Sequence, residues 1–319
     1  MRQSSTVNPS FATRPSIKPI TWIDPSLRLT LEAEGTTAHR LASGTGGWVE
    51  RLGNDVLISH KNDRSKDEMI DGLERWCTTN GWQPERVFTR FLALKNEERI
   101  SPILLSGDPS LPLTTVVTEA GVRYGLDFGV GQSHGLALDQ RVTRNKVRLL
   151  RPKRLLNTYA HTCSFSVVAA LAGATTVNVD LSKKSLERGK QNFDLNGIFL
   201  EGHRFLTGDT LEILPQLENS GEKFDVIILD SPAFSRGTNR RWQVENDFED
   251  LLLVALAVAS PKCAILLSTN STKLDPVSLE YRARRCAKEK RRTADYVMSN
   301  PPPDFPIGQG ACTVWMMVR

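Results

Sequence analysis

Three features that would restrict the function are missing from this chain of 319 residues: a long apolar run, paired cysteines and a phosphate-binding glycine motif. No apolar run approaches the roughly 20 residues that a membrane-spanning helix needs. The five cysteines are scattered and no C-x-x-C pair occurs, so the sequence indicates neither a disulfide framework nor a metal site of the zinc type. A reducing compartment, the cytoplasm, fits this cysteine usage best.

Length and composition predict a globular protein of about two domains, on a prior of roughly 150 residues each. A hydrophobic fraction of 39% leaves enough apolar chain for a sizeable core. We expect a flexible tail at 1–24, a small α/β domain at 25–115, a β-hairpin linker at 116–140 and the main domain at 141–319. The first 23 residues contain no acid, as in organellar transit peptides of eukaryotes, but a disordered bacterial N-terminus is favoured.

Two local interpretations concern the first half of the chain. Residues 27–31 alternate apolar and polar side chains and are predicted to form a strand. Residues 122–128 alternate in the same way, and we expect them to pair with 134–138 across the glycine-rich turn at 129–131.

The main domain alternates apolar strands with helices, and three strands in a row end on an aspartate. Such alternation predicts a parallel sheet of the Rossmann-like α/β class. Ligands of these sheets bind beyond the carboxyl ends of the strands. Carboxylates at that edge suit ribose hydroxyls and an exocyclic amine but would repel a pyrophosphate. The three residues are Asp180, Asp209 and Asp230.

The turn after the first strand of this domain lacks G-x-G-x-x-G, and the chain has no G-x-x-x-x-G-K-[ST]. This absence argues against NAD, FAD and ATP. A cofactor without a pyrophosphate remains, of which S-adenosylmethionine is the common one. Asp180 would then bind the ribose hydroxyls, with Asp209 and Thr210 near the adenine. The alternative for each single aspartate is a helix cap or a turn.

Residues 230–234, with the sequence D-S-P-A-F, could grip a flat base. Asp230 offers acceptors, Pro232 stiffens the backbone and Phe234 can stack, as in enzymes that flip a base out of stacked nucleic acid. The alternative is an ordinary strand-to-loop turn whose phenylalanine belongs to the core.

Several motifs in order resemble one family: L-D-Q-R at 138–141, V-D-L-S at 179–182, Q-N-F-D-L-N-G at 191–197 and F-D-V-I-I-L-D-S-P-A-F-S at 224–235. Together with N-T-Y-A-H-T-C-S-F at 157–165, they are similar to class I methyltransferases that make 5-methylcytosine or 7-methylguanine in large-subunit ribosomal RNA. The likeness covers roughly 121–319. It implies a seven-stranded, mostly parallel sheet with an antiparallel last strand, S-adenosylmethionine as cofactor and an RNA partner. It also carries the expectation that the N-terminal PUA domain of many relatives is missing, and it leaves a homodimer open.

The resemblance also implies roles for single residues. Gln140 and Thr162 would face the methionine end of the cofactor, and Asn270 would line the far side of the base. The remaining cofactor residues would be Asn157, Ser164, Ser182 and Asp230, of which Asp230 would also hold the base. Basic side chains mark a polyanionic partner, although a solvated helix face is the alternative for the run at 282–292. The expected RNA contacts are Arg236, Arg240, Arg241, Arg284, Lys288 and Arg291.

Departures from the family pattern sharpen the prediction. His161-Thr162-Cys163-Ser164 stands where relatives have Tyr-Thr-Gly-Gly or Tyr-Thr-Gly-Ser, which predicts weaker binding of the methionine part. Asn270 occupies the position of the cysteine that relatives use to attack cytosine, and methylation at carbon 5 needs such a thiolate. Guanine N7 needs only positioning, so a nitrogen target is favoured. A non-catalytic RNA-binding protein and a methyltransferase for small molecules or proteins remain alternatives.

Overall fold

The computed structural model describes residues 20–92, 101–131, 133–236, 241–306 and 309–319. Within those ranges no helix combines the length and the apolar character needed to cross a membrane. Two large sheets, linked through a hairpin, organise the chain.

The N-terminal sheet contains six strands in sequence order. Neighbouring strands are antiparallel except for the fourth and fifth, which are parallel because a helix connects them. That helix covers one face of the sheet through a core that includes Val49, Ile58 and Trp76. The elements are β1 (Thr21–Trp22), α1 (Pro25–Ala33), β2 (Ala38–Gly44), β3 (Gly47–Leu52), β4 (Asp55–His60), α2 (Asp63–Asn80), β5 (Arg86–Phe91) and β6 (Ile103–Ser106).

The strand predicted at 27–31 is wrong, because this segment belongs to helix α1. Asp24 caps the helix by accepting hydrogen bonds from the backbone N–H groups of Ser26 and Leu27, and Pro25 occupies the first turn. Both are strong helix-start signals. They outweigh the apolar alternation, of which only Leu31 is buried.

The predicted partner of 122–128 is also wrong. β8 (Val122–Asp127) pairs instead with the preceding strand, β7 (Thr114–Glu119), in an antiparallel hairpin. The turn between them is Ala120-Gly121, where both residues have positive φ, as tight hairpin turns require. Residues 134–137 are irregular and lead into a short 3₁₀ turn, Leu138–Gln140.

The hairpin packs between the two sheets. A single apolar core joins Phe88 of the N-terminal sheet, Tyr124 and Phe128 of the hairpin region, and Leu155 of the main sheet. An ion pair adds to it, since the fully buried guanidinium of Arg144 donates from Nε to Oε1 of Glu119 at 2.7 Å and binds the second carboxylate oxygen as well. The predicted division of the chain at residues 24, 115 and 140 stays a prediction.

The main sheet has seven strands in the order β11-β10-β9-β12-β15-β17-β16, and β17 runs antiparallel to both neighbours while the first five strands are parallel. This topology confirms the predicted fold. The elements are α3 (Arg141–Leu150), β9 (Arg154–Thr158), α4 (Ser164–Leu171), β10 (Thr175–Asp180), α5 (Lys183–Leu195), β11 (Arg204–Thr207), α6 (Thr210–Asn219), β12 (Phe224–Ser231), β13 (Phe234–Arg236), β14 (Arg241–Gln243), α7 (Val244–Ala257), β15 (Ala259–Thr269), α8 (Pro276–Glu289), β16 (Ala294–Met298) and β17 (Cys312–Val318).

Candidate active site

A cavity of about 510 Å³ lies at the carboxyl ends of the parallel strands. This volume is typical of small-molecule sites, which run from roughly 300 to 1,000 Å³. Five residues singled out from the sequence line it together: Gln140, Asp180, Asp230, Pro232 and Asn270. Strand register brings Asp180 and Asp230 to one edge, because β10 and β12 flank the central strand β9. Asn270 follows β15, the neighbour of β12, at the same edge.

The turn after β9 forms one wall through Tyr159 and His161. Tyr159, His161 and Cys163 all have positive φ, of 52°, 48° and 60°. Such conformations are costly for residues other than glycine and collect at functional sites. One consequence is that the backbone N–H of His161 points at Asp180 and donates to its Oδ2 at 2.7 Å.

Cys163 is accommodated by a glycine elsewhere in the chain. Its side chain is fully buried against α5, and a Cβ at Gly189 of that helix would overlap the Cys163 Sγ. The absent side chain at Gly189 therefore makes room for the extra side chain in the turn. Because Cys163 is directed into the protein core, it does not narrow the cavity on whose wall Tyr159 and His161 lie.

Asp180 is half-buried on the cavity wall. Its Oδ2 accepts from His161 and its Oδ1 from the backbone N–H of Ser182, at 2.7 and 2.8 Å. A carboxylate has about four acceptor sites, so this pair of bonds orients Asp180 and leaves capacity for a diol.

Three predicted cofactor residues are helix-start residues and are absent from the lining of this cavity. Ser182 caps α5 by accepting from Ser185 N, and Asp209 caps α6 by accepting from Leu211 N. Thr210, the first residue of α6, is buried. For Asp209 the helix-cap alternative therefore describes its observed contacts.

Asn157, Thr162 and Ser164 lie behind the wall. Asn157 is buried in β9 and donates to the Ser166 hydroxyl at 3.0 Å. The hydroxyl of Thr162 donates to the carbonyl of Gly135. This hydrogen bond joins the segment before the 3₁₀ turn to the turn that follows β9. Ser164 begins α4. These three side chains shape the site from outside the cavity.

Asp230 is the carboxylate whose chemistry is most altered. Burial raises its pKa to about 6, and the negative charge of Asp139 acts in the same direction. Hydrogen bonds from Ser268 and Gln140 and the positive charge of Arg144 oppose this rise. The Gln140 amide Nε2 donates to Asp230 Oδ1 at 3.1 Å and to the Ser268 hydroxyl at 2.7 Å. Asp230 is consequently ionised at neutral pH and becomes protonated as the pH falls below about 6.

The loop after Asp230 is held by hydrogen bonds to its backbone. Asn270 Oδ1 accepts from Ala233 N at 2.9 Å, and the indole N–H of Trp242 donates to the carbonyl of Pro232 at 2.8 Å. Phe234 is 47% exposed, so it is not a core side chain. Asn270 thereby leaves its amide N–H donors for a ligand in the cavity that it lines.

Four of the predicted RNA-contacting residues have described side chains, and none of these four lines this cavity. Arg241 is exposed on β14, whereas Arg284 pairs with Glu280 at 2.7 Å. Lys288 and Arg291 are exposed at the far end of α8, close to the start of β15 and thus at the opposite edge of the sheet. The side chain of Arg236 and the whole of Arg240 fall outside the described residues.

Two features were missed from the sequence. Asp139 lines the cavity and accepts from Ala311 N at 2.8 Å. A second cavity of about 720 Å³, bounded by the N-terminal sheet, adjoins the first and is lined by Arg40, Glu50 and Arg90. Charged residues inside otherwise apolar strands were the available signal. Among the described residues, no cluster of histidine, cysteine, aspartate or glutamate is suited to a metal ion.

S-adenosylmethionine, the cofactor that the resemblance implies, fits this site on two observations. The turn at Tyr159 and His161 presents strained backbone to the cavity, and the oriented carboxylate of Asp180 stands beside it, where a ribose diol needs acceptors. Asp230 and Gln140 supply further polar groups to the lining of the same cavity.

Comparison with known proteins agrees with this fit. Ribosomal RNA large subunit methyltransferase YwbD of Bacillus subtilis is 34% identical over 76% of this chain, which spans 63% of that protein. Ribosomal RNA large subunit methyltransferase I of Aliivibrio fischeri is 25% identical over 83% of this chain and 69% of its own length. The crystal structure of SMU.776, a methyltransferase complexed with SAH, shares the fold with a TM-score of 0.81 at 23% identity, over 92% of this chain and 78% of that one.

A family model described as S-adenosylmethionine-dependent methyltransferase matches residues 31–318, which is nearly the whole chain. The match includes the N-terminal sheet, the hairpin and the main sheet. The chain therefore belongs to the family of S-adenosylmethionine-dependent methyltransferases.

Proposed function

We propose that this protein transfers a methyl group from S-adenosylmethionine to a base nitrogen of large-subunit ribosomal RNA, with guanine N7 favoured. The observation that carries the proposal is one cavity that joins Asp180, Asp230 and Asn270 at the carboxyl edge of the sheet. The names of the two relatives above support ribosomal RNA as the substrate class. Such a protein would work in the cytoplasm, where ribosomes are assembled.

The residues divide into a cofactor side and a base side. Asp180 and the turn at His161 would hold the adenosine part, and Gln140 would orient Asp230. The cofactor supplies an electrophilic methyl group on a sulfonium. Methylation of guanine N7 makes the base cationic, so an ionised Asp230 beside it would stabilise the charge that develops. Asn270 and the exposed Phe234 would orient the base.

The state of the cysteines supports a nitrogen target over cytosine carbon 5. Attack on cytosine needs a thiolate, the reactive form of cysteine. Burial raises the pKa of all five thiols, to about 12 for Cys312 and well above the ordinary value for Cys163. A protein without an accessible thiolate is suited to an acceptor that already carries a lone pair.

Methyl transfer from tritium-labelled S-adenosylmethionine tests the proposal. Ribosomal RNA from cells lacking this gene is incubated with the protein, beside parallel reactions on total protein and on a small-molecule extract. We expect label in the RNA, and much less with Asp230→Asn. Label only in protein or small molecules would overturn the RNA assignment. Absence of binding heat at millimolar cofactor in calorimetry would leave a non-catalytic RNA-binding protein.

A further inference from the structure

The second cavity is continuous with the first. Its volume is about 720 Å³, and it shares four lining residues with the first cavity, which contains Asp180 and Asp230: Ser133, Ala137, Asp139 and Asn270. Its outer wall is the N-terminal sheet, on the face turned away from α2. Trp48 and Glu50 occupy that face of β3, while Val49 between them packs into the core with α2.

Glu50 is a buried carboxylate with incomplete pairing. It is 5% exposed and lies 3.6 Å from the Nη2 atoms of both Arg40 and Arg90, beyond good hydrogen-bond distance. Burial would raise the pKa of Glu50, but the positive charges of Arg40 and Arg90 outweigh it and hold the pKa below its ordinary value. The cavity therefore presents an ionised acceptor group.

Polar atoms without partners collect around this carboxylate. Among the described residues, Glu50 Oε2, Arg40 Nε and His134 Nδ1 are buried without a hydrogen bond. The buried indole Nε1 of Trp48 makes no hydrogen bond of good geometry either, although it is close enough to Glu50 to lower the pKa of that carboxyl. A buried polar atom without a hydrogen bond destabilises the fold, and native proteins contain few of them. Four on residues that line one cavity indicate a polar ligand there.

The same wall offers flat surfaces. The Arg40 guanidinium lies 3.9 Å from the ring centroid of Phe305 and 4.9 Å from that of Trp48. Its Nη1 donates to Gln309 at 3.1 Å. Arg40 and Phe305 are themselves buried, so the flat surface that this wall offers to the cavity is the half-buried ring of Trp48. Aromatic rings are surfaces on which proteins stack unpaired RNA bases.

We propose that the second cavity receives the guanine to be methylated, with its N1–H and 2-amino group donating to Glu50. Guanine alone among the four RNA bases has two adjacent donors on its Watson–Crick edge. Adenine and cytosine each pair one amino group with a ring acceptor, and uracil places carbonyls on both sides of its single N–H, so these three would bring acceptors against the carboxylate. A guanine bound by this edge turns its opposite edge, which carries N7, away from Glu50. This inference rests on the proposed function and names the base-selecting residue for it.

Binding of free nucleotides tests the inference without knowledge of the RNA site. Guanosine, inosine, adenosine and cytidine 5′-monophosphates are titrated by NMR into the full chain saturated with S-adenosylhomocysteine. Inosine differs from guanosine only in lacking the 2-amino group. One charge-assisted hydrogen bond contributes roughly 1.5–3 kcal/mol, so guanosine monophosphate is expected to bind at least about 10-fold more tightly than inosine monophosphate.

Variants assign the preference to Glu50. Glu50→Gln should bring the guanosine-to-inosine affinity ratio close to one, and Glu50→Asp, which keeps the charge, should retain part of it. Glu32→Gln is the matched control. Glu32 of helix α1 pairs with Arg51, the neighbour of Glu50 in strand β3, but it does not line the cavity. If Glu50→Gln does not fold, the wild-type ratio and Glu50→Asp still decide.

Equal binding of guanosine and inosine monophosphates by the wild-type chain would overturn the inference, as would a preference that survives in folded Glu50→Gln. The proposed function fails separately. A chain that binds guanosine monophosphate through Glu50 but transfers no methyl group to ribosomal RNA contradicts that function alone. A chain that methylates ribosomal RNA without a guanine preference contradicts this inference alone.

Discussion

Asp230→Asn should stabilise the fold while it impairs methyl transfer. Asp230 is half-buried on the cavity wall. Partial burial and the negative charge of Asp139 raise its pKa from 3.8 to about 6. Asparagine keeps an oxygen that can accept from Gln140 but carries no charge. The substitution therefore removes the cost of an ionised group at neutral pH and removes the charge that would stabilise a methylated base.

The sign and size follow from proton linkage. A carboxyl whose pKa is higher in the folded state stays protonated there longer, so the fold loses stability as pH rises from about 4 to above 6. The difference between 3.8 and about 6, at about 1.36 kcal/mol per pH unit, gives an upper limit of about 3 kcal/mol at pH 8. About half of this cost is already present at pH 5.

Urea unfolding at pH 5 and pH 8 measures the effect. We expect Asp230→Asn to exceed the wild type in free energy of unfolding by about 1–3 kcal/mol at pH 8 and by about half as much at pH 5. Methyl transfer to ribosomal RNA should fall at least about 10-fold, as expected where stability is given up for function. A variant that is no more stable than the wild type at pH 8, or whose gain does not shrink at pH 5, would refute this account of Asp230.

Three further predictions concern the framework of the fold and the loop beside the cavity. Gly189→Ala should lose about 1–3 kcal/mol in thermal unfolding because its Cβ overlaps Cys163, and Cys163→Gly in the same chain should restore the loss; a deficit that persists would contradict the compensation. Arg144→Leu leaves Glu119 buried and unpaired and should cost about 3–5 kcal/mol in urea unfolding; a cost below about 1 kcal/mol would contradict this. Asn270→Ala removes the acceptor for Ala233 N and should lower the methyl-transfer rate about 10-fold, at a stability cost of no more than about 1.5 kcal/mol. Asn270→Asp retains this acceptor and should lose less activity; equal rates in the two variants would show that the hydrogen bond to Ala233 does not affect methyl transfer.

Strong local signals made the main sheet predictable. Apolar strand cores followed by aspartate place Asp180 and Asp230 at the carboxyl edge, and the structure finds both on one cavity. Asp209 also follows an apolar strand, but it caps helix α6. An aspartate at the end of a strand can cap the following helix whether or not it also faces a ligand. The pattern alone does not separate the two roles.

Other features depend on contacts that sequence spacing does not reveal. The hairpin partner of β8 is the strand before it, β7. The alternation within β8 predicts a strand but does not show whether its partner comes before or after it in the chain. The second cavity escaped notice because Arg40, Glu50 and Arg90 meet only through the register of the N-terminal sheet. The compensation between Cys163 and Gly189 likewise requires the packing of α4 against α5.

The central claim is methylation of a base nitrogen, and one measurement tests it most directly. Large-subunit ribosomal RNA from cells lacking this gene is incubated with the protein and methyl-deuterated S-adenosylmethionine, digested to nucleosides and analysed by mass spectrometry. The account predicts deuterium in 7-methylguanosine. Deuterium in 5-methylcytidine, or in no nucleoside at all, would contradict it.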